Sequence, residues 1–188
     1  YYTDQNDPVG LTSYTLGGYD PSDVEFVAAY DVNAEKVRKD LSEAIFAEPN
    51  NTVKICDIPK LDVMVERGPV FDGLGKYLKN VIKVSDKAEC DISLSLKNAG
   101  AEVLVNYLPV GSTKATQYYA IEALKARVAF INAMPVFIAS DPEWQTKFSN
   151  AGLPVAGDDV MSQLGATVLH KTIVKLCVDR GVKVDETY

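Results

Sequence analysis

Several side chains that can do chemistry follow directly on short apolar runs in this sequence. Asp31 closes VEFVAAY, a turn containing Leu108 follows VLV, Asn132 closes VAFI, and Asp159 lies just beyond LPVA. An acidic residue at the tip of a buried strand accepts hydrogen bonds from both hydroxyls of an adenosine ribose, which is the chemistry Asp31 offers; merely ending a strand is its alternative use. Asn132 and the Asn106–Pro109 crest present amide and carbonyl groups suited to a nicotinamide carboxamide and its ribose, although turn chemistry also accounts for each. Asp159 and Ser162 are three residues apart and can face one point above a helix start, with helix capping as the alternative for at least one of Asp158 and Asp159.

These residues need strands that all stop at one edge. The stretch EVLVNYLPVGS (102–112) reads as strand, polar crest, glycine and capping serine, and STKATQYYAIEALKAR then continues as helix. In an open parallel sheet this sequence of elements forms the ligand edge, and the new helix aims its unpaired N–H groups and positive dipole end at an anion such as a pyrophosphate. Strands are predicted at 24–30, 53–55, 61–65, 103–105, 128–131 and 153–156. Helices are predicted at about 33–46, 72–84, 91–99, 112–127, 140–150 and from after Ser162 to Gly181. The pattern implies an α/β fold, a Rossmann-like, mainly parallel, doubly wound sheet that binds a dinucleotide.

Composition narrows the function classes. A formal charge of −7 and the absence of any Lys/Arg run argue against nucleic acid or an anionic membrane as partner. No stretch approaches the roughly 20 apolar residues of a membrane span, and the polar residues YYTDQNDPVG have neither the basic start nor the apolar run of a signal peptide. Three widely spaced cysteines predict no disulfide framework and a reducing, cytoplasmic setting. No His/Cys/carboxylate cluster has metal-ligand spacing. Lone His170 reads as structural, Tyr119 first as a packing residue on a small-residue helix stripe, and Gly73–Lys76 as a turn, because a phosphate loop would need fuller spacing and a Ser/Thr after the lysine. By itself Asp40 reads as part of a solvated helix face.

Longer motifs carry a resemblance. NYLPVGS (106–112), VAFINAMPVFIASDPEW (128–144), GLPVAGDDVMSQLGAT (152–167), RGVKVDETY (180–188), VAAYDVNAEKVRKDLSEAIFAEPNNT (27–52) and VERGPVFDGLGKY (65–77) closely resemble myo-inositol-1-phosphate synthase, also called inositol-3-phosphate synthase, of the shorter archaeal and actinobacterial type. The resemblance covers nearly the whole chain and is weakest over 1–22. It implies NAD as cofactor, D-glucose 6-phosphate as substrate, and oxidation, enolisation, intramolecular aldol closure and re-reduction as the reaction, in a homotetramer. Carried over by position, it adds Asp40, Ala99, Tyr119 and Ser162 as cofactor-binding residues and Asp159 as a polar group at the nicotinamide and sugar end. Met161 stands where the family commonly has lysine. The resemblance further implies that a first strand with a glycine-rich turn precedes Tyr1 and that the catalytic lysines follow Tyr188, so that 1–188 is a partial NAD-binding domain, inactive by itself. An NAD-dependent dehydrogenase of a small hydroxy or amino acid, or a non-catalytic NAD-sensing module, are the alternative readings.

Overall fold

Two parallel sheets, built from strands of two to four residues, organise the computed structural model, which describes residue 11 and residues 13–50, 53–160 and 164–187. The first sheet pairs β1 (Ala29–Asp31) with β2 (Val65–Arg67), and the second runs β3 (Val103–Asn106), β4 (Ala129–Asn132), β5 (Val155–Ala156). Helices join them in chain order: α1 (Leu41–Ala44), α2 (Gly75–Leu78), α3 (Ile92–Asn98), α4 (Thr113–Ala126), α5 (Pro142–Ala151) and α6 (Ala166–Asp179). Parallel strands need crossovers, and the alternation of strand and helix supplies them.

Leu104, Phe130 and Val155 stand in one row across the second sheet and join the core formed with α3, α4 and α5. Ile92 and Leu96 come from α3, Tyr119, Ala120, Ala123 and Ala126 from α4, and Trp144 and Phe148 from α5. The alanine stripe lets α4 lie close to the strands. Tyr30 of β1 packs against the same core, 6.3 Å from the Tyr119 ring, so both sheets share this layer. The next row, Val105, Ile131 and Ala156, is exposed on the opposite face.

Local signals set the ends of α4 and α5. Asp141 accepts the Glu143 and Trp144 amides, and Gly152 closes α5 at φ 67°, left-handed as a C-cap requires. Arg127 likewise ends α4 in the left-handed region.

Elsewhere the structure corrects the sequence reading. The helix expected over 33–46 is only a turn followed by α1, because residues 38–41 are drawn into pairing with 63–65: Arg38 N–H donates to Val65 O, Leu41 N–H to Val63 O, and Val65 N–H to Lys39 O. Arg38 takes φ 70° to make the switch. The helix expected over 72–84 shrinks to α2, and 53–55 forms no strand. His170 is exposed on α6.

Candidate functional site

Asp31 and Asn132 are the last residues of β1 and β4, Leu108 comes two residues after β3, and Asp159 three after β5. Each therefore lies at the carboxyl end of a parallel strand, the edge at which such sheets bind ligands.

The chemistry left to each residue depends on what its polar atoms already hold. Asp31 Oδ1 accepts the Val32 and Asn33 amides at 2.7 and 2.9 Å, and Lys36 Nζ stands 3.3 Å from Oδ2. Arg67 is in register with Asp31 on the neighbouring strand. Asn33 Nδ2 and Arg67 Nε are buried without a hydrogen-bond partner, so two donors at the β1–β2 tips lack an acceptor.

The Asn132 side chain is consumed by the fold. Its Nδ2 donates to Val136 O at 2.6 Å and Asp158 Oδ1 at 2.8 Å, while its Oδ1 accepts from Asn106 Nδ2 at 2.8 Å. Asn106 Nδ2 also reaches Thr116 Oγ1, and Asn106 Oδ1 accepts the Leu108 amide. A buried polar chain thus runs Thr116–Asn106–Asn132–Asp158 beneath the tips of β3, β4 and β5, and leaves backbone rather than side-chain amide for a ligand at Asn132. Such a network rigidifies because every missing partner would leave a buried group unpaired.

Two sequence expectations at α4 are overturned. Ser112 is not its side-chain cap; its hydroxyl donates back to the Pro109 carbonyl. Nor is the helix N-terminus open to an anion: the Asp72 carboxylate accepts the Lys114 and Ala115 amides at 2.8 and 3.1 Å. Partial burial opposes ionisation of Asp72, but these two N–H donors, together with its own amide and the Lys114 charge, hold the carboxyl below its usual range. No sequence signal marks Asp72, since its partners lie 42 and 43 residues away.

Asp40 is the N-cap of α1 and accepts from the Ser42 hydroxyl and amide and from the Leu61 amide. These bonds, the Ser42 hydroxyl foremost, pull its carboxyl down to about 2. Ala99 closes α3 on the amino side of β3, beside a cleft of about 430 Å3 that Glu66, Cys90 and Ser95 also line. There Tyr30 donates to Ser95, which donates to Glu66, and burial pushes Tyr30 up to about 12 and Cys90 up to about 11. Tyr119 is buried among Tyr30, Tyr118 and Gly68, and burial raises its phenol. Asp40 and Ala99 are thus tied to other parts of the fold than the strand tips, whereas the Tyr119 hydroxyl lies against Gly68, which follows β2 and donates its amide to Asp31 O. Ser162 and Met161 lie outside the described residues. Neither Asp158 nor Asp159 caps α6, whose N-cap is Gly165. Among the described residues no group of three or more His, Cys, Asp or Glu is arranged to hold a metal ion. No helix among them is long and apolar enough to cross a membrane.

No protein-family model matches the chain. It is 55% identical over 191 residues to inositol-3-phosphate synthase of Mycolicibacterium smegmatis, an alignment that covers all of this chain and 53% of that protein. The crystal structure of Ari2 matches 94% of the chain and 50% of its own, at TM-score 0.76 and 34% identity. A myo-inositol-1-phosphate synthase-related protein from Thermotoga maritima shares the fold at TM-score 0.53 and 22% identity, over 82% of this chain and 47% of its own. The chain spans about half the length of the curated relatives it matches. With its parallel Rossmann-like architecture, the chain is a homologue of the inositol-3-phosphate synthases over that shared half.

Proposed function

We propose that this chain supplies the cofactor-binding part of an NAD-dependent isomerase that converts D-glucose 6-phosphate to 1D-myo-inositol 3-phosphate, in cytoplasmic inositol and phospholipid synthesis. The observation that carries this is the 55% identity, along the whole chain, to an enzyme named inositol-3-phosphate synthase. In this reading 1–188 is a partial NAD-binding domain, and the catalytic lysines and the tetramer contacts belong to the remaining half of the relatives' length.

The strand tips fit the adenosine end of the cofactor. Asp31 would accept the ribose hydroxyls through Oδ2, with Lys36 moving aside, and the unpaired Asn33 and Arg67 nitrogens would find acceptors in the ligand or its waters. The pyrophosphate does not fit at α4, where Asp72 already takes the amides. Leu108 and Asn132 would meet the nicotinamide half through their backbone groups, and the exposed Asp159 would accept hydrogen bonds from sugar hydroxyls. Asp40, Ala99, Tyr119 and Ser162 are cofactor contacts by resemblance. NAD, when bound, would take up one hydride from the sugar and return it.

The test is product analysis. A polypeptide of the relatives' full length that contains this chain should form inositol phosphate from glucose 6-phosphate with catalytic NAD+. Net NADH release without inositol phosphate would refute the reading. The 188 residues alone should show no synthase activity and bind NAD+ weakly at best; tight binding in titration calorimetry would refute the division of labour between the two halves.

A further inference from the structure

Gly157, Asp158 and Asp159 perform three separate tasks in one turn. Gly157, at φ 137°, approaches the tip of β4 so closely that a Cβ would collide with the Asn132 carbonyl. Asp158 then turns inward. Its carboxylate accepts Asn132 Nδ2 at 2.8 Å and the amides of Ile138, Ala139 and Ser140 at 2.9, 2.9 and 3.0 Å. Asp159 follows at φ 75°, a left-handed backbone rare outside glycine, with its side chain exposed and its Oδ1 on the Val160 amide.

Three consecutive amides converging on one carboxylate form an anion nest, filled here from within the chain. An ionised carboxylate is the group that suits it, since it is acceptor-only, whereas an asparagine in its place would turn an NH2 donor toward N–H donors. Ile138 is fully buried, so its amide has no ready substitute in solvent. The nest joins the loop before α5, the tip of β4 and the exit of β5 at a single side chain. A residue that only closed a loop would need none of its partners at the strand tips, yet Asp158 holds Asn132, the link to Asn106 and β3.

Resting on the NAD reading above, we propose that Asp158 is the positioning residue of the nicotinamide end of the rim: by locking residues 138–140 and Asn132 around itself, it fixes the strained backbone of Asp159 and so the place from which Asp159 meets the ligand. Asp159 is the residue that faces ligand; Asp158 acts through it.

The test compares a polypeptide of the relatives' full length that contains this chain with its Asp158→Asn and Asp159→Asn forms, reading NAD+ affinity by titration calorimetry and amide exchange by mass spectrometry below the melting temperature of all three. Asp158→Asn should remove the exchange protection of the Ile138, Ala139 and Ser140 amides and weaken NAD+ binding at least about tenfold. Asp159→Asn should weaken binding while leaving those amides protected. A folded Asp158→Asn chain that binds NAD+ as the unmutated one does would overturn the positioning role, because a merely structural contact lowers the melting temperature without moving affinity. Unchanged protection at 138–140 in Asp158→Asn would overturn the lock. Absence of NAD+ binding by the unmutated full-length polypeptide would overturn the cofactor reading and the ligand half of this proposal, while the exchange measurement would still decide the lock.

Discussion

The two sheets are held in different ways. Around β3–β4–β5, α4 and α5 run for 14 and 10 residues, each begins and ends on its own local signals except at the α4 N-terminus, and their buried faces meet the row Leu104–Phe130–Val155. Around β1–β2, the two helices have four residues each, and much of the backbone is satisfied by segments far away in the chain. Hydrophobic burial carries the first region and long-range hydrogen bonding the second. The lesson is that parallel strands with very different local support can share one core, provided that one helical layer spans both sheets, as α3 and α4 do through Tyr30, Ser95 and Tyr119. A second contrast lies between the faces of β3–β4–β5. One is packed; the other leaves Val105 and Ile131 in view, and no described side chain of α6 is buried.

The largest effect is expected where burial carries the fold. Phe148 is fully buried beside Phe130, with ring centroids 6.2 Å apart, and Phe148→Ala should cost about 3–5 kcal/mol in denaturant unfolding. A loss below about 1 kcal/mol would break the contrast between the sheets. Asp72→Ala removes the bond that ties the β2 side to α4 and should cost about 1 kcal/mol, the ordinary worth of a helix cap, with exchange rising at Lys114 and Ala115.

Asp40 sharpens the comparison through pH. Its carboxyl is depressed from 3.8 to about 2 by the Ser42 hydroxyl and neighbouring amides, so its contribution is complete above the ordinary carboxylate range and is lost as pH falls through about 2. Acid titration of stability should therefore lose part of its slope between those limits in Asp40→Asn; an unaltered slope would mean that the pairing of 38–41 with 63–65 does not depend on this carboxylate. The smallest effect belongs to α6. Leu169 is 55% exposed, and Leu169→Ser should shift the unfolding free energy of this chain by no more than about 0.5 kcal/mol. A larger shift would show that α6 is packed after all.

Legibility followed the range of the interactions. Residues 91–156 were readable nearly element by element, because strand alternation, the alanine stripe, Asp141 and Gly152 all act within a few positions of the residues they control. The β1–β2 region misled for the opposite reason: 33–46 has a helical pattern, yet Arg38–Leu41 gain better backbone partners at 63–65, more than 20 residues on, and propensity yields to tertiary pairing. At the candidate site the residue types were visible and their roles were not. Asn132 was recognisable as a strand-tip amide, but only the fold spends its side chain on Asn106, Val136 and Asp158.

The sequence alone therefore determined the parallel α/β order, the strand tips at Asp31, Leu108, Asn132 and Asp159, and the helix ends that local capping controls. The tertiary structure decided which carboxylates the fold itself consumes: Asp72 fills the mouth of α4, Asp158 fills the nest at 138–140, and Asp159 is left exposed. The physical reason is that periodicity and capping are short-range, whereas satisfying buried donors is a demand met by whichever acceptor the folded chain brings near, at any separation in sequence.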